Sequence, residues 1–391
     1  MVRQFALNAR SRFDRTTLQI EALENRDVPS TGGEDVLSMP HLAGMSDAYP
    51  IDPVHVALPP SETISSQGTI GKPLLKQQRD RFAVGSGAGQ STTVNVYDAQ
   101  TNSLLGILTP YGRDFTGGAR VVTADVTGDG IQDIIVAPGA GSQSWVKVYD
   151  GTNLQEVRSF LAYTSDFTGG IFVAVGDVDH DGRNDIVTGA GENGGPHVKM
   201  FSGADLFPKE DVTLAVLPYA RRSFFAYESD FRGGVSVAVA DVNGDGYADI
   251  ITGAGPGGGP RVTVVSGKDL SILENYFAYD PSMRSGIMVA AGDINGNGRA
   301  EIVTAPMNGG GPDIRIFEDS QLVKGYTPFN TSDRTGAGVA LRDLDADGKL
   351  ELIVTSGAGA KPQVIVLNST GQTVRDFPAF TADYLGGLFV G

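Results

Sequence analysis

From about Asp80 onward the chain consists of short hydrophobic-rich runs separated by glycine turns. His197–Gly203, HVKMFSG, alternates apolar and polar positions, as a half-buried strand does. Gly169–Asp177, GGIFVAVGD, is instead dense in small and β-branched residues, which suits an inner strand near a crowded axis. DIVTGAG, from Asp185, reads as a further strand, and a fourth ends in a segment of the FxAY type. The runs are short, bounded by glycine and of period two, so helix is nearly excluded.

These runs repeat. Phe160–Gly203 and Phe224–Gly267 align along their whole length, and both contain an acidic nonapeptide: DVDHDGRND from Asp177 and DVNGDGYAD from Asp241. Three more copies begin at Asp125 (DVTGDGIQD), Asp293 (DINGNGRAE) and Asp343 (DLDADGKLE). The first residues of the five copies lie 52, 64, 52 and 50 positions apart. A period near 50 with four short strands per unit predicts propeller blades. The long interval is assigned to an excursion on one blade's rim around Phe207–Arg221.

Full units start near Gly117, Gly169, Gly233, Ser285 and Gly336. The two ends supply a sixth. Arg81–Asp98 matches the second and third strands of a unit, and Gly386–Gly391, GGLFVG, matches a first strand alone. The expected fold is an all-β, six-bladed propeller, with seven blades the alternative. It is closed by pairing the C-terminal strand beside Arg81–Val84, which removes the exposed edges that invite aggregation. The propeller is expected over residues 80–391, after a disordered linker at 31–79 that is rich in proline and poor in periodicity, and a targeting-like or helical segment at 1–30. Within the latter, EALENRDVPS resembles a short N-terminal motif of some bacterial exported and surface proteins; the alternative is an amphipathic helix of no special role.

Composition narrows the chemistry. Glycine, 53 of 391 residues, is about twice its usual ~7% share, as repeated turns require. The net charge of −16 argues against nucleic acid, whose phosphates need clustered Lys and Arg. Much of the acidity sits in the five nonapeptides. The absence of cysteine excludes disulfides, thiolate chemistry and Cys-based zinc sites. No run of 18 apolar residues exists, so no transmembrane helix is expected, and the N-terminus lacks the apolar core of a standard secretory signal.

Each nonapeptide places oxygen-bearing side chains at positions one, three, five and nine. Oxygens so spaced on a tight turn can converge on a hard cation such as Ca²⁺, which takes six to eight of them. The expected side-chain ligands are Asp125, Thr127, Asp129 and Asp133; Asp177, Asp179, Asp181 and Asp185; Asp241, Asn243, Asp245 and Asp249; Asp293, Asn295, Asn297 and Glu301; and Asp343, Asp345, Asp347 and Glu351. The seventh residues, Ile131, Arg183, Tyr247, Arg299 and Lys349, would offer backbone carbonyls, which would leave their side chains free to vary. Glycine at position six permits the sharp turn. An EF-hand is rejected, because position twelve holds Val136, Thr188, Thr252, Thr304 or Val354 rather than the bidentate Glu. Up to five Ca²⁺ ions are expected, bound most tightly at the second and fifth loops and most weakly at the fourth, where only Asp293 and Glu301 are charged.

The pattern F-x-G-G…V-A-x-x-D-x-[DN]-x-[DN]-G-x-x-[DE]-[IL]…G-A-[GP] resembles FG-GAP/VCBS repeats, the units of integrin α-subunit propellers and of many bacterial surface proteins. The resemblance covers residues 80–391. It implies that the acidic loop joins a blade's first and second strands, binds Ca²⁺ on one face of the disc, and leaves the opposite face or the rim to ligands. The chain departs from integrin α-subunits in having six apparent blades and none of their downstream domains.

On that opposite face the start of the third strand carries unlike residues in the six units: Thr93, Trp145, His197, Arg261, Asp313 and Gln363. This ring is the candidate ligand face, and solvent-exposed drift is the competing explanation. Asp114, Asp166, Asp230 and Asp383, with Ser282 and Ser332, recur at the corners before the first strands and are expected to cap turns or bridge blades. The Gly-rich turns GAGENGGP and GAGPGGGP do not open helices, which argues against phosphate cradling. The histidines are His41, His55, His180 and His197, with no Ser–His–Asp or metal–His grouping visible in the sequence. The expected function is a non-catalytic, calcium-binding propeller, monomeric, extracellular or on a bacterial cell surface, that binds protein or glycan. The alternatives are a polysaccharide-active enzyme using carboxylates and a purely structural surface protein.

Overall fold

A computed structural model describes residues 80–208 and 219–391. The expectations for residues 1–30 and 31–79 lie outside the described residues.

The strands form six four-stranded antiparallel sheets. In the third blade the strands are Ile171–Gly176, Asp185–Ala190, His197–Phe201 and Arg222–Phe225. The first strands pack side by side in a closed circuit: Ala119–Ala124, Ile171–Gly176, Val235–Ala240, Ile287–Gly292, Ala337–Arg342, Leu388–Val390 and back to Ala119–Ala124. The protein is a six-bladed β-propeller. The rim excursion leaves the third blade between its third and fourth strands, where Gly203–Leu206 forms one helical turn; residues 209–218 of it lie outside the described residues.

Burial follows the radius. The second strands, such as Asp185–Ala190 and Asp249–Ala254, are buried at every position. Both of their faces meet a neighbouring blade, which explains why they read as unbroken apolar runs. Fourth strands such as Thr373–Pro378 are largely exposed. The core therefore lies in the seams. Between the third and fourth blades, Val187, Val198, Met200 and Phe224 pack against Val235, Val237 and Ile250. Each such side chain contributes about 1.5–3 kcal/mol on full burial. Where blades come closest only glycine fits: a Cβ on Gly189 would stand 2.2 Å from the carbonyl oxygen of Val235.

The C-terminal strand closes the ring, in a register slightly different from expectation. Leu388–Val390 pairs with Val84–Ser86 rather than with Arg81–Val84, and Ala83 and Gly391 exchange backbone hydrogen bonds of 3.0 and 3.3 Å. The corner sets this register, because Gly87 N–H donates to the Gly387 carbonyl at 2.8 Å.

A tyrosine stitches four of the seams. At the end of each blade's fourth strand stands Tyr111, Tyr163, Tyr227, Tyr279, Phe329 or Phe380. The hydroxyl of Tyr163 donates to the carbonyls of Thr188 (3.1 Å) and His197 (2.8 Å), on the second and third strands of the next blade. Tyr111 and Tyr279 do the same, and Tyr227 reaches Thr252 Oγ1 and the Arg261 carbonyl.

Candidate metal centres and the opposite face

Each acidic loop is the hairpin connection between first and second strands. Its ninth residue begins the second strand and pairs with the last residue of the first: Ala124↔Asp133, Gly176↔Asp185, Ala240↔Asp249, Gly292↔Glu301 and Arg342↔Glu351. The nonapeptide register is thus pinned by the sheet. The turn needs left-handed backbone at two positions. Gly128 and Gly130, Gly244 and Gly246, and Gly296 and Gly298 supply it in loops one, three and four. In loops two and five the fourth position is His180 (φ 58) or Ala346 (φ 61), residues that adopt this conformation at a cost. The sequence reading identified only the sixth position.

The ninth residue anchors the loop from inside. Asp185 is fully buried. One oxygen accepts from the amides of Val178 (2.9 Å) and Asp179 (3.3 Å), the other from Gly203 (3.0 Å) in the turn after the third strand. Asp133 and Asp249 are held likewise, each with a third-to-fourth-strand turn glycine, Gly151 or Gly267. Burial pushes the carboxyl of Asp185 up to about 7 and that of Asp249 up to about 6, with the backbone hydrogen bonds pulling the other way. These are acids placed where a negative charge lacks a compensating one. The first residue accepts from the fourth-to-sixth amides, as when Asp177 takes Asp181 and Gly182 at 3.0 Å each.

Two loops bring three carboxylates together. Oxygens of Asp177, Asp179 and Asp185 lie within 4.8 Å of one another, as do those of Asp343, Asp345 and Asp347. Asp179 Oδ1 is buried and has no hydrogen-bond partner, and Thr127 Oγ1 at the equivalent position of loop one is in the same condition. Asp181 and Glu351 stand outside these groups. In loop four the amides are already engaged: Asn295 Nδ2 donates to Glu301, and Asn297 Nδ2 to Glu318 at 2.8 Å. Three of the seventh residues also make side-chain contacts. Arg183 donates to the Phe207 carbonyl, Arg299 bonds Asp319 and the Val242 carbonyl, and the Tyr247 ring packs at a tilt against His180 of the preceding loop, with centroids 4.9 Å apart. Neighbouring loops therefore touch, loop two with loop three and loop three with loop four.

The acidic hairpin, repeated at the same place in five successive blades, coincides with a known repeat. The model of the FG-GAP-like repeat matches residues 125–188, and that of the FG-GAP repeat residues 233–267. The chain is an FG-GAP repeat β-propeller. Integrin alpha-4 of Xenopus laevis is 30% identical over 152 residues, which is 35% of this chain and 14% of that protein. Integrin alpha-8 of Gallus gallus is 26% identical over 191 residues, 42% and 18%. The chain thus spans less than a fifth of either relative. Among solved structures, a Bacteroides caccae protein of unknown function superposes with TM-score 0.48 at 10% identity, covering 80% of this chain and 98% of that one; this likeness bears on no activity.

Of the corner residues expected to cap turns or bridge blades, two serines bond within their turns: Ser282 Oγ donates to Asp280 at 2.6 Å and Ser332 Oγ to Asn330 at 2.9 Å. The residues at the starts of the third strands lie at the end of each blade away from the acidic loops, as antiparallel pairing dictates. Five of their side chains are already engaged. Trp145 Nε1 donates to Gln143 (3.2 Å), Arg261 pairs with Glu228 (2.7 Å), Asp313 with Arg315 (2.9 Å), and Gln363 donates to Asp376 (2.7 Å). His197 Nε2 lies 2.7 Å from Ser223 Oγ, a pairing the sequence did not reveal. Thr93 contributes its backbone amide, which donates to Ser86 Oγ at 3.0 Å. Of the six, His197 lines a cavity of about 760 Å³ that runs from the seam between the second and third blades to Gly233, Pro256 and Met307 of the fourth and fifth, and Arg261 lines one of about 150 Å³ at the next seam.

Proposed function

We propose that the chain is a non-catalytic binding module whose propeller is stabilised by Ca²⁺ at the acidic loops and whose opposite face meets the ligand. The observation that carries the metal reading is Asp179 Oδ1, a buried carboxylate oxygen with no partner, inside a cluster of three acids within 4.8 Å. A buried polar oxygen left without a partner is costly, and a cation would complete it. Asp177, Asp179, Asp181 and Asp185 would hold the ion in loop two. The same positions would do so in the other loops, with the carbonyls of Ile131, Arg183, Tyr247, Arg299 and Lys349. When bound, the ion supplies the counter-charge that the ninth-position acids lack and ties first strand to second. The clusters support the order of affinities expected from charge, with loops two and five above loop four.

The likeness to integrin α-subunits supports a binding role at the cell surface or outside the cell, for a protein or carbohydrate partner. A carboxylate enzyme is the weaker reading. The Ser223–His197 pair resembles a nucleophile and its base, but burial pulls the His197 pKa down to about 4, too low for a general base near neutral pH. Thermal melting of the full chain with millimolar Ca²⁺ or with chelator tests the metal reading. Stabilisation should rise with Ca²⁺ concentration, and Asp179→Ala should remove part of it. A melting temperature indifferent to Ca²⁺ would refute the proposal.

A further inference from the structure

We propose that the cavity on the face away from the acidic loops, which runs from the seam between the second and third blades to Gly233, Pro256 and Met307 of the fourth and fifth, binds a small carboxylate-bearing saccharide of hexuronic-acid size. This rests on the binding-module reading and names its ligand class. At about 760 Å³ the cavity falls within the range of about 300–1,000 Å³ usual for small-molecule sites.

Two cations line it, Arg120 and Lys199, and among the described residues neither makes an ion pair. The Arg120 guanidinium lies 4.0 Å from the Phe172 ring centre and 5.2 Å from that of Phe389, and its Nη1 donates only to the carbonyls of Pro138 and Ile171, at 3.3 Å each. Lys199 Nζ sits 4.9 Å from the Tyr163 ring centre and donates to the Ala162 carbonyl at 3.1 Å. An ammonium has three donors and a guanidinium five, so both retain unused ones. Burial lowers the pKa of both, Arg120 to about 10. The cavity's two carboxylates, Asp166 and Glu192, stand exposed at its rim, although the field of Glu192 still favours the charged form of Arg120.

The repeats give an internal control. The residues matching Lys199 in the second and fifth blades are Lys147 and Arg315, and each has a carboxylate, Glu156 at 2.8 Å and Asp313 at 2.9 Å. At the next seam Glu228, just after Tyr227, reaches across to Arg261. Here the residue in the place of Glu228 is Thr164. Of the three blades with a cation at this position, only the third lacks an internal carboxylate for it among the described residues, and the Glu228–Arg261 pair corresponds here to Thr164 and His197. A ligand carboxylate would complete the pattern, and Tyr163 and Phe167 would offer apolar walls to a sugar ring. The rim acids and the net charge of −16 disfavour long polyanions.

The test is calorimetric titration of the full chain in saturating Ca²⁺ with sodium glucuronate, glucose and N-acetylaspartate. Glucuronate should bind at one site, and glucose at least tenfold more weakly. Lys199→Met and Arg120→Met should each weaken glucuronate at least tenfold. Thr164→Glu should abolish binding by supplying the carboxylate internally, while holding or raising the melting temperature, which separates loss of the site from loss of the fold. No glucuronate binding, equal binding of glucose, tighter binding of N-acetylaspartate, or indifference to Thr164→Glu would each overturn the proposal. Melts with and without Ca²⁺ on the same samples separate the two readings: a Ca²⁺-dependent melt without glucuronate binding sinks only this ligand, whereas a Ca²⁺-independent melt sinks the reading beneath it.

Discussion

The tyrosine stitch makes a sharp prediction. Tyr163→Phe deletes one oxygen and leaves the ring where it is, 5.5 Å from Phe167 and largely buried. The lost hydroxyl leaves two acceptors without its donor, the carbonyls of Thr188 and His197, at 3.1 and 2.8 Å. The hydroxyl has one proton to share between these acceptors, so the destabilisation is about 0.5–1.5 kcal/mol. For a propeller spanning residues 80–391 that is a fall in melting temperature of about 1–2 °C. Calorimetry in saturating Ca²⁺, with circular dichroism to confirm an unchanged fold, measures it. The converse change is built into the repeat. Phe329 occupies the tyrosine position between the fifth and sixth blades, and by repeat spacing Val354 and Gln363 are the expected acceptors. Phe329→Tyr should therefore stabilise by about 1 kcal/mol. If Tyr163→Phe leaves the melt unchanged, the hydroxyl bridges do not hold the blades together and the seams rest on apolar packing alone.

Other outcomes follow from the same geometry. Ala346→Gly should raise stability by about 0.5–1 kcal/mol, because Ala346 sits at φ 61 where loops one, three and four have glycine; chemical denaturation measures it. Deleting residues 386–391 removes the strand that pairs with Val84–Ser86, so the melting temperature should drop markedly or the protein should aggregate through the opened edge; an unchanged melt would count against ring closure. His197 gives a pH signature. Its folded pKa is depressed to about 4, so the unfolded chain takes up a proton first, and stability present above about pH 6.5 is lost as the pH falls towards 4. Since the ring is partly accessible, the loss should be about 1–3 kcal/mol, and His197→Asn should flatten that segment of the stability–pH curve relative to wild type.

Much of this was legible along the chain because it is local or periodic. The acidic nonapeptide is one hairpin and its ligating spacing is set within nine residues. The sixth blade was legible because a first strand at one end and second and third strands at the other leave a single complementary gap. Even the fourth loop position was within reach, since glycine stands there at Gly128, Gly244 and Gly296. The side-chain partners of the seventh residues, such as Phe207 for Arg183, were not legible because they lie on other elements.

The sequence by itself determined the blade, its repeat and the closure, since strand pattern, turn glycines and loop spacing are written in neighbouring residues. Only the tertiary structure decided which side chains meet across the seams. Tyr163 finds acceptors 25 and 34 positions away. Trp145, Arg261, Asp313 and Gln363 are occupied by intramolecular partners, whereas among the described residues Lys199 lacks the carboxylate that Lys147 and Arg315 possess. Those differences arise where two blades pack face to face, so no single repeat contains the information.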